Sequence, residues 1–142
     1  MPTTIVRYRK VSDAYTTHQL QLPDSHGAAD SPRCTELCTL NDGFTYVAIP
    51  GDVMLPEQPE VIRDSVEVLD ALPDALREQI KTASPHVALI NERVRQAIAD
   101  RYSLADEIKL LRTAPSPEMA AYNAYAEECR AWGRMEKAKL GL

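Results

Sequence analysis

FTYVAIPGDVMLPEQPE, residues 44–60, changes character partway along. Phe44 to Ile49 are mostly β-branched or aromatic, and Asn41-Asp42-Gly43 directly before them is a turn signal, so the segment begins as a strand entered from a turn. Pro50, Pro56 and Pro59 then interrupt it. Each fixes its own φ and biases the preceding residue away from helix, which predicts an extended connector. Upstream, TTIVRYRKV (3–11) sets Arg7, Arg9 and Lys10 among Val6, Tyr8 and Val11, as a strand with one solvent face does.

Downstream of about residue 60 the apolar spacing becomes helical. SVEVLDAL (65–72) fits a strand or a helix. Pro73 opens a short helix through about Ala83. Ser84-Pro85 then supplies an N-cap and a first-turn proline for a helix whose stripe is Val87, Ile90, Val94, Ala97 and Ile98, running to about Tyr102. Ser103-x-x-Asp106 has the form of a capping box, and Leu104, Ile108 and Leu111 give the helix it starts one face expected to be buried. Ser116-Pro117 restarts a final helix to about Lys139. The expectation is an α+β fold: a small N-terminal β element over residues 1–60, then a C-terminal bundle of three or four helices over 61–142. LPDSHGAADSP (22–32) has almost nothing to bury, so residues 23–33 are expected to form a mobile loop.

Composition narrows the function classes. A chain of 142 residues holds one domain, or a small domain with an arm. A hydrophobic fraction of 44% argues against disorder throughout, and an aromatic fraction of 6% leaves the core to aliphatic side chains, which suits helix packing. The net charge of −5 and the lack of a basic cluster beyond RYRK (7–10) argue against a nucleic-acid binder. No run approaches the roughly 20 apolar residues of a membrane span, and MPTTIVRYRK lacks the apolar run of a signal peptide. Three cysteines, an odd number, fit a reducing cytoplasm.

The chemical candidates are sparse. His18, His26, Cys34 and Cys38 offer zinc-ligating atoms, but their spacing is not that of a finger or ribbon, and a strand with both cysteines on one face explains that pair more simply. Glu127-Glu128, Asp106-Glu107 and Glu57 with Glu60 read as solvated carboxylates. His86 reads as a partly buried, hydrogen-bonded histidine at a helix start. No P-loop, dinucleotide fingerprint, nucleophile elbow or HExxH is present, so neither an enzyme nor a cofactor is expected.

The final helix is two-faced. At 100° per residue, Tyr122, Tyr125, Ala126, Cys129, Trp132, Gly133 and Leu140 share one sector, opposite Asn123, Glu127, Arg130, Arg134 and Lys137. Tyr125, Trp132, Tyr122 and Met135 form the candidate partner-binding set, since aromatic side chains anchor interfaces. Within this sector Tyr122, Ala126 and Cys129 are expected inside the chain's own core. Tyr125 and Trp132, at its edge, are expected to touch a partner or a second copy.

Three stretches carry a resemblance: DGFTYVAIPGDVMLPEQPEVI (42–62), LINERVRQAIADRYSLADEIKLLRT (89–113) and AYNAYAEECRAWGRMEKAKLGL (121–142). Together, over roughly residues 42–142, they resemble small tail assembly or tail-fibre assembly proteins of tailed bacteriophages and prophages. The resemblance implies a non-enzymatic, chaperone-like protein of the bacterial host cytoplasm that holds a tail or tail-fibre protein until assembly. A minor structural component of the tail, associated with the virion, is the alternative it leaves open. A small metal-binding protein using His18, His26, Cys34 and Cys38 is the competing class.

Overall fold

Strand-forming residues precede residue 50 and helical spacing follows residue 60, and the computed structural model, which describes residues 3–23, 34–51 and 53–142, has the α+β fold this division implies. In chain order the described elements are β1 (Thr4–Tyr8), β2 (Val11–Ser12), β3 (Thr17–His18), β4 (Thr35–Thr39), β5 (Thr45–Ile49), α1 (Glu60–Arg63), β6 (Glu67–Leu69), α2 (Asp74–Ala83), α3 (Pro85–Arg101), α4 (Leu104–Thr113) and α5 (Pro117–Lys139). Residues 24–33, which hold the expected loop and His26, lie outside the described residues.

Alternation along β1 and β5 builds a sheet covered on both faces. The order is β4-β5-β1-β6 with antiparallel neighbours, and Val6 stands opposite Val47 while Ile5 stands opposite Ala48. Successive side chains on a strand point to opposite faces. Val6, Tyr8, Val47 and Ile49 therefore meet Leu20 and Ile62 in one core, whereas Ile5, Tyr46 and Ala48 meet Leu37 and Ile80 in another. With both faces covered, every residue of β5 is buried. The turn into β5 follows the Asn-Asp-Gly signal: Gly43 sits at φ +85°, the Gly43 N–H donates to the Leu40 carbonyl at 3.0 Å, and the Asp42 carboxylate accepts from the Phe44 N–H at 2.8 Å. Arg7 is less exposed than a plain solvent-face residue. Its guanidinium lies 4.5 Å from the Phe44 ring centre and 2.7 Å from the Glu67 carboxylate.

β4 departs from simple alternation. Glu36 opposes Val47 and Cys38 opposes Tyr46, which leaves Leu37 as the extra residue of a β-bulge. Leu37 and Cys38 consequently both join the core around Tyr46, whereas Cys34 packs on the core around Val47. The expectation that one strand face carries both cysteines is corrected by this bulge, because period-2 reasoning holds only for an unbroken ladder.

Two compact units divide the chain, Met1–Pro85 with Lys139–Leu142, and His86–Ala138. The boundary therefore falls later than the change of periodicity near residue 60. SVEVLDAL resolves as β6 on the edge of the sheet, α1 contributes Ile62 and α2 contributes Ile80 to the sheet's cores, so these elements belong to the sheet unit. Leu140 and Leu142 return to the core around Tyr46, and Thr3 Oγ1 donates to the Lys139 carbonyl at 2.8 Å.

In the helical unit, α3 buries Val87 and Ile90 and half-buries Val94, Ala97 and Ile98, which is the stripe read from sequence. Gly133 of α5 is buried beside it. A Cβ built there would come within 2.7 Å of Val94 Cγ2, so at this close approach of helices any side chain would have to displace Val94. Ser116 Oγ accepts from the Met119 N–H at 3.1 Å and caps α5. Ser84 differs from expectation: its buried hydroxyl has no partner among the described residues, and its N–H closes α2 on the Ile80 carbonyl at 2.8 Å.

Ser103 and Asp106 form the expected capping box. The Asp106 N–H donates to Ser103 Oγ at 3.1 Å and the Ser103 N–H to Asp106 Oδ2 at 3.0 Å. Ser103→Ala should cost about 1 kcal/mol, read as a lowered midpoint in thermal melting followed by circular dichroism. The hydrogen bond from the Ser103 backbone holds the Asp106 carboxyl below its ordinary value. Its contribution is therefore complete above the unfolded carboxylate range, near about 3.9, and is lost as pH falls through the depressed folded value. An unchanged midpoint in Ser103→Ala, or an unchanged acid limb in Asp106→Asn, would mean that the box does not hold α4.

Candidate functional site

The partner-binding set read from sequence separates into two pairs on α5. Ala126 and Gly133 form its buried line, while Tyr122, Tyr125 and Cys129 are half-buried. Tyr122 meets Tyr102 edge to face, with ring centres 4.9 Å apart, and Tyr125 lies 5.9 Å from the same ring. The Tyr125 hydroxyl donates to the Ala97 carbonyl at 3.0 Å, and the Arg101 guanidinium stands 4.4 Å from its ring centre. Both phenols are held above their ordinary range, Tyr125 first by its hydrogen bond with Cys129, and Tyr122 first by burial and then by the Glu107 carboxylate. Tyr122 and Tyr125 thus knit the helical unit together, and their polar tips are engaged there.

Trp132 and Met135 are placed differently. They lie three residues apart on one flank of α5, Trp132 40% exposed and Met135 63% exposed. Trp132 presents a large rigid ring with a polar N–H, and Met135 a side chain that adapts to an irregular surface. Glu127 and Arg134, on the polar face, form an ion pair with each other.

α4 contradicts its expected burial. Leu104, Ile108 and Leu111 are 74%, 44% and 66% exposed, and α4 buries none of its residues fully. Its half-buried positions are Glu107 and Leu110. Spacing of three and four residues places apolar side chains on one face of a helix, and it carries no information about what covers that face. A core stripe and an interface stripe therefore read alike.

The remaining candidates do not converge. Cys34 and Cys38 face opposite sides of the sheet, and burial raises both thiols, which keeps them protonated and weakly nucleophilic. His18 Nε2 lies 3.5 Å from Asp13 Oδ2 on the β2–β3 ribbon. Among the described residues no three His, Cys, Asp or Glu side chains gather where a metal ion would sit. His86 is exposed rather than partly buried, because α3 turns Val87 and Ile90 inward and His86 out. Glu57 pairs with Arg63 at 3.3 Å, and Asp106 serves its cap.

The sequence reading missed Arg101 and Tyr102 as packing partners of α5 and missed the exposure of α4. A tyrosine at the end of a helical stripe and two tyrosines on the last helix were the available signal for the first. No protein-family model, curated protein or solved structure matches this chain. No described helix is long and apolar enough to cross a membrane.

Proposed function

We propose that this chain is a phage or prophage tail or tail-fibre assembly protein of the chaperone-like kind, acting by protein–protein binding rather than by catalysis. The observation that carries the reading is the exposure of Trp132 beside Met135 on α5, next to aromatic residues already engaged inside the helical unit. A half-exposed tryptophan on a helix flank has the form of an interface anchor. The resemblance over residues 42–142 supplies the partner class, a tail or tail-fibre protein met in the bacterial host cytoplasm.

Co-expression tests it. The tail or tail-fibre protein encoded beside this chain should accumulate in soluble form and co-purify with it, and should aggregate when expressed alone. Equal solubility with and without this chain, together with no co-purification, would overturn the assembly reading. Retention of the chain in finished particles would instead identify a structural component of the tail.

A further inference from the structure

Leu104, Ile108 and Leu111 occupy one flank of α4, and all three are exposed. Their spacing is the d-a-d step of a heptad, with leucine at both d positions and β-branched isoleucine at a. In a parallel assembly that choice favours two strands. In this register Glu107 takes the g position and Arg112 the following e position, on opposite sides of the apolar strip. A parallel, in-register pair sets Glu107 of each copy against Arg112 of the other, and reversing one helix would set Glu107 against Glu107. Asp106, Lys109 and Thr113 fall on the far side of the helix wheel.

We infer that α4 is a self-association surface: two copies of this chain pair through parallel α4 helices, with Leu104, Ile108 and Leu111 in the seam and reciprocal Glu107–Arg112 ion pairs along its edges. The same patch serves both copies, as a two-fold interface requires. α4 is ready for this role before association, since the Ser103–Asp106 box caps its first turn and half-buried Leu110 fixes its rotation. A ten-residue helix is only about 15 Å long. The seam alone falls below the roughly 1,000 Å² of a durable interface, so the dimer is reversible and concentration-dependent. Leu104, Ile108 and Leu111 are distinct from Trp132 and Met135, so this inference stands whether or not the assembly reading does.

Sedimentation velocity of the full chain over a concentration series should show a monomer passing to a dimer. Ile108→Lys should weaken the dimer at least about thirtyfold while leaving the melting temperature in place, because Ile108 is already exposed. Should Ile108→Lys fail to fold, the charges decide the matter. Arg112→Glu, at an exposed position, should weaken association, and Arg112→Lys should keep it. Leu111→Cys should cross-link to itself under mild oxidation where the wild-type chain does not. A chain that stays monomeric at its highest soluble concentration overturns the inference. So does a dimer indifferent to Ile108→Lys or to Arg112→Glu, or cross-linking found only between Leu104→Cys and Leu111→Cys chains. Protection of α4 only by a bound foreign protein would also exclude a second copy as its cover.

Discussion

Tyr46→Ala should cost about 3–5 kcal/mol, a large part of the roughly 5–15 kcal/mol that holds a domain folded. Tyr46 is fully buried in β5 among Ile5, Leu37, Ala48 and Ile80, so truncation leaves a ring-sized cavity in the middle of one core. Its hydroxyl donates to Asp42 Oδ2 at 2.9 Å, tying the strand to the turn that starts it. Tyr46→Phe keeps the ring and loses the hydroxyl's interactions with the Asp42 carboxylate and Arg7, for about 1.5–3 kcal/mol. Urea denaturation followed by circular dichroism separates the two. Equal midpoints for Tyr46→Ala and wild type would remove Tyr46 from the core.

Gly133→Leu should destabilise the helical unit by about 1–3 kcal/mol, toward the upper end, because α3 already fills the space beside Gly133. Even a Cβ would meet Val94 Cγ2 at 2.7 Å and Ile90 Cγ2 at 3.8 Å. Gly133→Ala is a smaller change. The helix gains about 1 kcal/mol of propensity from alanine, which offsets part of the displacement of Val94. Melting followed by Trp132 fluorescence reports on this unit. A leucine variant as stable as wild type would mean that the helices do not approach closely at Gly133.

The sequence made some of this legible and hid the rest for physical reasons. Asn41-Asp42-Gly43 announced its turn because only a residue tolerant of positive φ suits position 43. Ser103-x-x-Asp106 announced its cap because the hydrogen bonds are local. The bulge at Leu37 left no trace, since it is defined by the partner strand and not by β4 itself. SVEVLDAL stayed ambiguous for the same reason: β6 exists because β1 offers it an edge. The return of Leu140 and Leu142 to the core around Tyr46, and the Thr3–Lys139 bond across 136 positions, lie beyond any local pattern.

The candidate site divides in the same way. Trp132 was placed at the edge of the apolar sector by angle alone, and it is exposed there. Tyr125 had the same angular credentials, yet its hydroxyl reaches the Ala97 carbonyl on a different helix, a bond that spacing along α5 does not encode. Leu104, Ile108 and Leu111 show the converse: a periodic stripe reads as core until the neighbouring helices are known.

The exposed flank of α5 is proposed to bind a tail or tail-fibre protein. Trp132→Ala with two readouts, melting temperature and affinity for the co-expressed tail protein, tests it most directly. At least about 2 kcal/mol of binding should be lost, roughly thirtyfold in affinity, with little change in melting. A melting temperature that collapses while the residual folded chain still binds with full affinity would make Trp132 part of the chain's own core and contradict the claim.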